Sequence, residues 1–215
     1  MNCPLCNGPA DRFHHSRDRD FFLCTQCHYI FVPSSHHLSP GEEKKRYLEH
    51  ENSLENEGYV QMFETKLDLL KKYGPKSGTV LDFGCGYEPV LKTLLERQGY
   101  SASVYDKFFF PDWDAGKQFD AVISTETFEH LDSPASEIDR ILGVLKPGGY
   151  LAIMTRFYPE TGGKPDLEIF KDWYYKNDPT HIGFYGSGTL QWLADNCAIE
   201  LVYRDDLDFV LYRTS

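Results

Sequence analysis

Between residues 79 and 155 the sequence alternates short apolar runs with amphipathic stretches, and glycine, proline or aspartate marks each switch. Thr79–Phe83 reads as a strand ending at Gly84. Residues 89–97 read as a helix stopped near Gly99, and 102–105 as a second strand ending at Asp106. Residues 119–124 form a third strand. Residues 134–145 form a helix stopped by Lys146-Pro147-Gly148-Gly149, and 150–155 a fourth strand. Such alternation requires a mostly parallel sheet with helices on both faces. A last helix over 189–196 and a β pair, 199–203 with 207–212, would close the sheet with antiparallel strands.

Ahead of this region stand Cys3, Cys6, Cys24 and Cys27, two Cys-x-x-Cys pairs 17 residues apart. Two residues between cysteines let one tight turn aim both sulfurs at one ion. Two such turns complete a tetrahedral thiolate shell, which suits Zn²⁺. The set leaves no open position, so the zinc is expected to be structural, holding together a piece too small to fold unaided. The expected fold class is α/β: a Rossmann-like sheet with a C-terminal antiparallel β pair and a small N-terminal zinc ribbon. The ribbon is assigned to residues 1–40, a helical cover segment to 41–74, and the main domain to 75–215. Within the cover segment, Val60, Phe63, Leu67 and Leu70 recur at helical spacing and Gly74-Pro75 ends the run.

Charge narrows the function classes. Lys and Arg number 22 against 33 Asp and Glu, a net charge of −11, and no Lys/Arg run appears, so nucleic-acid partners are disfavoured. Within the ribbon, Arg12, Arg17 and Arg19 balance Asp11, Asp18 and Asp20, unlike a nucleic-acid-binding finger. His14, His15, His28, His36 and His37 read as polar surface residues. With no membrane-length apolar run and no charged leader, a cytoplasmic location is expected; thiols stay reduced there, which favours metal over disulfides.

The strand-turn-helix Val80-Leu81-Asp82-Phe83-Gly84-Cys85-Gly86-Tyr87 places a Gly-x-Gly turn at the C-terminal end of the first strand, where open α/β sheets bind ligands. Neither the third glycine of a dinucleotide loop nor the Gly-Lys-Ser/Thr of a phosphate loop follows. Asp106 ends the second strand 20 residues past Gly86, placed to accept hydrogen bonds from a ribose diol.

With Phe119-Asp120-Ala121-Val122-Ile123-Ser124, Thr125-Glu126-Thr127-Phe128-Glu129-His130-Leu131 and Leu145-Lys146-Pro147-Gly148-Gly149, these residues resemble the class I S-adenosylmethionine-dependent methyltransferases. More narrowly, His50-Glu51-Asn52-Ser53, Gly58-Tyr59, Tyr105-Asp106-Lys107-Phe108-Phe109 and residues 178–185 resemble a bacterial group of zinc-ribbon methyltransferases without an assigned substrate. The resemblance implies that Gly84, Cys85 and Gly86 touch the methionine part of S-adenosylmethionine and that Asp82 orients its ammonium. It implies Asp106 on the ribose, Lys107 and Phe108 beside the adenine, and Thr125 and Glu126 at the sulfonium end. One departure stands out. Only twelve residues separate Asp106 from Phe119, too few for the family's usual helix and third strand.

Residues 157–188 are expected to form a substrate lid. They carry Trp173, Tyr174, Tyr175 and Tyr185, with Gly162-Gly163 and Gly186-Ser187-Gly188 as hinges. Tyr174, Tyr175 and Tyr185 are candidate substrate contacts. His181 and His130 are candidate catalytic bases, suited by an ordinary imidazole pKa. The favoured function is methyl transfer to a small-molecule acceptor. Alternatives are methylation of RNA or protein with the ribbon as docking element, and a non-catalytic binding protein using the ribbon as its interface.

Overall fold

A computed structural model describes residues 1–16, 18–49, 53–114 and 116–215. Arg17 and His50-Glu51-Asn52, singled out above, lie outside the described residues. In chain order the elements are β1 (Ala10–Ser16), β2 (Arg19–Cys24), β3 (Ile30–Phe31), α1 (Pro40–Tyr47), α2 (Glu57–Tyr73), β4 (Thr79–Phe83), α3 (Val90–Arg97), β5 (Ser101–Tyr105), β6 (Phe119–Thr125), α4 (Pro134–Gly143), β7 (Leu145–Met154), β8 (Glu160–Thr161), β9 (Lys164–Pro165), α5 (Leu167–Asp172), β10 (Gly183–Phe184), α6 (Ser187–Asn196), β11 (Ile199–Arg204) and β12 (Phe209–Thr214). Among the described residues no helix is long and apolar enough to cross a membrane.

Six strands form the main sheet in the order β11-β12-β7-β6-β4-β5. The four from β7 to β5 are parallel; β12 and β11 run antiparallel at the far edge. Strand side chains alternate between faces, and the two cores follow that alternation. On one face Val80, Ala121, Ala152 and Leu211 meet Phe63, Leu67 and Leu70 of α2 and Leu91, Leu94 and Leu95 of α3. On the other, Leu81, Val122, Leu151 and Val210 meet Ile138 and Ile141 of α4 and Leu190 and Leu193 of α6. The architecture is the α/β class expected.

Two local features differ from the sequence reading. The Lys-Pro-Gly-Gly run does not stop α4, which ends at Gly143; it forms an outward bulge inside β7. Phe119 pairs with Leu145 and Ala121 with Tyr150, so four residues of β7 loop out opposite one of β6. Beyond β5, among the described residues, no further strand joins the sheet. The chain turns through an Asp106–Phe110 bridge and returns to β6. The edge is covered by Trp113, which packs on Tyr105 (ring centroids 5.1 Å apart) under the Arg140 guanidinium, 3.9 Å from the indole.

The second sheet joins two distant parts of the chain, in the order β1-β2-β3-β10. Strand β10, from the 157–188 segment, pairs with β3 of the cysteine-bearing module. Val32 N–H also donates to Ile182 C=O (2.8 Å), and Arg19 donates to the carbonyls of Asp178 (2.8 Å) and His181. Gly186 and Gly188 serve this close packing. A Cβ at Gly186 would enter the Tyr158 ring, and one at Gly188 would lie 2.6 Å from His28 Nδ1. Helix α1 is held from the other side. Ser39 and Glu42 form a reciprocal capping box at its start, and Arg46 pairs with Asp178 (3.0 Å).

Candidate active site

A cavity of about 220 Å³ opens at the C-terminal ends of β4, β5 and β6, where ligands of open α/β sheets bind. Its floor is the turn Gly84-Cys85-Gly86 with Asp82 and Asp106. Tyr47 of α1 and Tyr59 and Phe63 of α2 form its roof.

Asp82 is 1% exposed, and neither carboxylate oxygen has a partner within hydrogen-bond geometry; the Lys92 backbone N–H exerts only the smallest of the influences on its proton affinity. Burial, and then the charge of Asp106, push its pKa up to about 8. An orphaned carboxylate in an enclosed cavity calls for a cationic ligand group. Gly84 has φ +83°, and a Cβ there would collide with the side chain of Thr127. Asp106 is already engaged by backbone. Its Oδ2 accepts from Gly86 N–H (3.1 Å), and its Oδ1 from Phe108 N–H (2.8 Å) and Phe109 N–H (3.1 Å). These bonds fix the carboxylate beside the glycine turn; Oδ1 has both lone pairs engaged, and Oδ2 can still accept from a diol.

At the other end Thr125, Glu126, His130 and His181 line the wall. Glu126 has φ +49°, a left-handed conformation uncommon outside glycine. Its Oε2 accepts from the Tyr175 hydroxyl (3.0 Å), which also contacts Glu129 Oε1. Glu129 is fully buried. Burial, and then the neighbouring Glu129 charge, push Glu126 up to about 8; burial pushes Glu129 up to about 7. The histidines behave differently. His130 Nδ1–H donates to Thr180 C=O (2.9 Å) and His181 Nδ1–H to Tyr175 C=O (2.7 Å). Burial and then His130 lower His181 to about 3, and burial lowers His130. Both imidazoles are therefore neutral lone-pair donors at neutral pH, not the near-neutral bases that an ordinary pKa implies.

The structure thus brings Asp82, Gly84, Cys85, Gly86, Asp106, Lys107, Thr125, Glu126, His130 and His181 to one cavity. Lys107 lies at its rim, paired with Glu43 of α1 (2.8 Å). Phe108 is not on the wall; its ring packs on Tyr47 (5.9 Å). Beyond Asp106 the wall consists of Phe83, Tyr105, Leu131, Asp132 and Glu137. Tyr174 is 64% exposed and hydrogen-bonds Arg156 (3.3 Å), which also faces Asp208. Tyr185 is fully buried between Tyr29 and Phe128, in the core rather than at the cavity. Sequence reasoning assigned no role to Glu129, although the spacing of Glu126 and Glu129 ahead of His130 could have flagged it. Nothing local marks Tyr47, and Gly58-Tyr59 stood out only for the family resemblance.

The cysteines form a second cluster. Cys3 Sγ lies 3.6 Å from Cys27 Sγ and Cys6 Sγ 3.4 Å from Cys24 Sγ, with all four sulfurs within 4.8 Å of one another. Backbone N–H groups of Leu5, Gly8 and Gln26 each approach a cysteine sulfur at 3.4 Å, the arrangement that stabilises thiolates. Asn7 and His28, which follow the second cysteine of each pair, both adopt positive φ to close the turn.

Sequence comparison agrees with this geometry. The methyltransferase-domain family model matches residues 55–202, more than half of the chain, and the chain belongs to that family. The mitochondrial ubiquinone biosynthesis O-methyltransferase of Dictyostelium discoideum is 41% identical over 56 residues, which cover 26% of this chain and 17% of that protein. The match thus spans under a fifth of that relative's length. Among solved structures, magnesium protoporphyrin IX methyltransferase from Synechocystis PCC 6803 with bound SAH has a TM-score of 0.52 at 16% identity, covering 82% of this chain and 95% of that one. An O-methyltransferase family protein from Burkholderia thailandensis has a TM-score of 0.55 at 15% identity, covering 80% and 63%. The fold and family are those of a class I S-adenosylmethionine-dependent methyltransferase.

Proposed function

We propose that this protein transfers a methyl group from S-adenosylmethionine to a small-molecule acceptor held against Glu126 and the two histidines, with Tyr175 bracing Glu126 from behind the wall. The observation that carries the reading is the buried, unpartnered Asp82 carboxylate. It sits beside a glycine turn and Asp106 in a cavity that continues to a group of titratable side chains. Asp82 would hold the cofactor's ammonium, Gly84 and Gly86 would let its methionine part approach the backbone, and Asp106 would hold its ribose. When bound, the cofactor supplies a methyl group already activated by a sulfonium.

The remaining work falls to the chain. Tyr47, Tyr59 and Phe63 exclude water from above. Glu126, held in one strained conformation and hydrogen-bonded to Tyr175, is placed to accept a proton from the acceptor. His130 and His181, each with Nδ1 tied to a backbone carbonyl, would orient the acceptor through Nε2. A small acceptor fits the electrostatics. Asp106, Asp132 and Glu137 line the cavity against one cation among the described residues, Lys107, which is itself paired, so a phosphate backbone would be repelled at the mouth. The ubiquinone-biosynthesis and protoporphyrin enzymes, named for small acceptors, are consistent with this.

We assign Zn²⁺ to the four cysteines, with a structural role inside the molecule. The module it organises supplies β3 and Arg19, which hold residues 178–184 and hence His181. Titration calorimetry of S-adenosylmethionine into the zinc-loaded protein and an Asp106→Ala variant tests the cofactor assignment; a hydroxylated, amino and thiol acceptor panel follows. One-site binding weakened at least about tenfold in the variant supports the reading. No binding to the parent protein refutes it.

A further inference from the structure

The acceptor end of the cavity contains more ligating chemistry than proton transfer needs. We infer that Glu129, His130 and His181 form a second metal site, separate from the cysteines, that takes a divalent first-row transition ion. One ligand atom from each of the three lies within 4.8 Å of the other two, close enough for small side-chain shifts to bring all three onto one ion with bonds of about 2.0–2.2 Å.

The histidine geometry is the first support. Each ring uses Nδ1–H on a backbone carbonyl, Thr180 for His130 and Tyr175 for His181. That bond fixes the tautomer with the lone pair on Nε2 and locks the ring, as is usual around metal-bound histidine. The two rings lie 4.9 Å apart, centroid to centroid, and His130 Nε2 is 3.8 Å from Glu129 Oε1.

An unpartnered buried oxygen is the second support. Glu129 is 0% exposed and its Oε2 has no hydrogen-bond partner. Among the described residues, no lysine or arginine pairs with Glu126 or Glu129. The Tyr175 hydroxyl stands between the two carboxyl groups and can donate to only one of them at a time. A bound cation would complete this arrangement. Assembly of the trio is itself built in: Ile182 N–H donates to Glu129 C=O (2.8 Å), binding the His181 segment to the Glu129 turn.

The donor set selects the ion. Two imidazoles and one carboxylate suit Zn²⁺, Co²⁺, Fe²⁺ or Mn²⁺ better than Mg²⁺, which prefers oxygen ligands and its own waters. Three protein ligands leave a position open, the mark of a working rather than a structural site. His130 and His181 line the cavity, so with the ion bound their Nε2 lone pairs hold it, and its open position, in place of Nε2 itself, meets a water or an oxygen or nitrogen of the acceptor. This last step rests on the methyltransferase reading; metal binding does not.

Cobalt distinguishes the two sites. Protein whose cysteines are already filled with Zn²⁺ is titrated with Co²⁺ and followed by visible absorption. The expected result is saturable ligand-field absorption without the thiolate-to-cobalt charge-transfer band that the cysteines would give. Glu129→Gln and His181→Gln should each weaken it at least about tenfold while the near-ultraviolet circular dichroism stays that of the parent. A readout needing no variant is proton NMR of the cobalt form, which should show two exchangeable, strongly shifted resonances from the two Nδ1–H groups. Cobalt that enters only with the charge-transfer band, or a cobalt form lacking those resonances, overturns the site. Cofactor binding without this cobalt binding removes the metal proposal alone. Cobalt binding without cofactor binding keeps the site and removes the methyltransferase reading.

Discussion

Replacing Asp82 by asparagine tests the electrostatics of the cofactor end directly. The carboxyl is 1% exposed, unpartnered, and shifted from 3.8 to about 8, chiefly by burial. An acid whose folded-state pKa exceeds its unfolded value costs the fold nothing below the unfolded pKa. The cost grows as pH rises and levels off above the folded pKa. The window is therefore about pH 4 to 8. At 1.36 kcal/mol per pKa unit, the cost added between pH 5 and pH 7 is at most about 3 kcal/mol. Asparagine carries no charge, so its stability lacks this slope; its unpaired amide costs about 1–3 kcal/mol at every pH and cancels from the comparison. For a chain of this size, about 2–4 °C accompanies each kcal/mol. The midpoint of Asp82→Asn should therefore rise relative to the parent by up to roughly 10 °C between pH 5 and pH 7. The assay is differential scanning calorimetry of the two zinc-loaded, cofactor-free proteins in matched buffers, so that acid effects on the cysteine cluster are common to both. A midpoint difference that stays constant from pH 5 to pH 8 refutes a buried carboxylate held largely protonated.

Binding of S-adenosylmethionine near pH 7 should release a proton as its ammonium draws Asp82 into the charged form; enthalpies measured in buffers of different ionisation heat should differ for the parent and converge for Asp82→Asn. Gly84→Ala combines positive φ with a collision at Thr127 and should destabilise the fold by about 2 kcal/mol or more while abolishing cofactor binding, read from urea midpoints and calorimetry. Gly183→Ala would drive a methyl group into the Tyr29 hydroxyl; Tyr29→Phe in the same chain should recover part of the lost stability, whereas additive losses would place the clash elsewhere. Removing zinc with a chelator should raise amide exchange in residues 181–184 along with the cysteine turns, because β10 depends on β3; exchange confined to the cysteine turns would show the two parts to be independent.

What the sequence determined by itself is what depends on near neighbours in the chain. The strands from Thr79 to Met154 were legible because a doubly covered strand must be apolar throughout and a turn must carry glycine, proline or aspartate. The cysteine cluster was legible because a two-residue spacing already aims two sulfurs at one point. The missing third strand showed as a shortage of residues after Asp106. Gly84 and Asp106 declared themselves as strand-end residues of a sheet whose ligands bind at that end. The tertiary structure decided whatever depends on summed burial or on segments far apart. His181 reads as an ordinary imidazole until packing against Tyr175 and His130 lowers its proton affinity. Tyr174, Tyr175 and Tyr185 read alike, yet one is exposed, one bridges two carboxylates, and one is core. Gly186 and Gly188 read as a hinge, and only the approach of Tyr158 and His28 shows why they lack side chains. Glu129 and His181 are separated by half a hundred residues and meet because β3 and Arg19 carry the later segment onto the earlier one. No local pattern in either segment encodes that meeting, since it rests on contacts between residues far apart in the chain, among them Ile182 N–H to Glu129 C=O and His130 to Thr180 C=O.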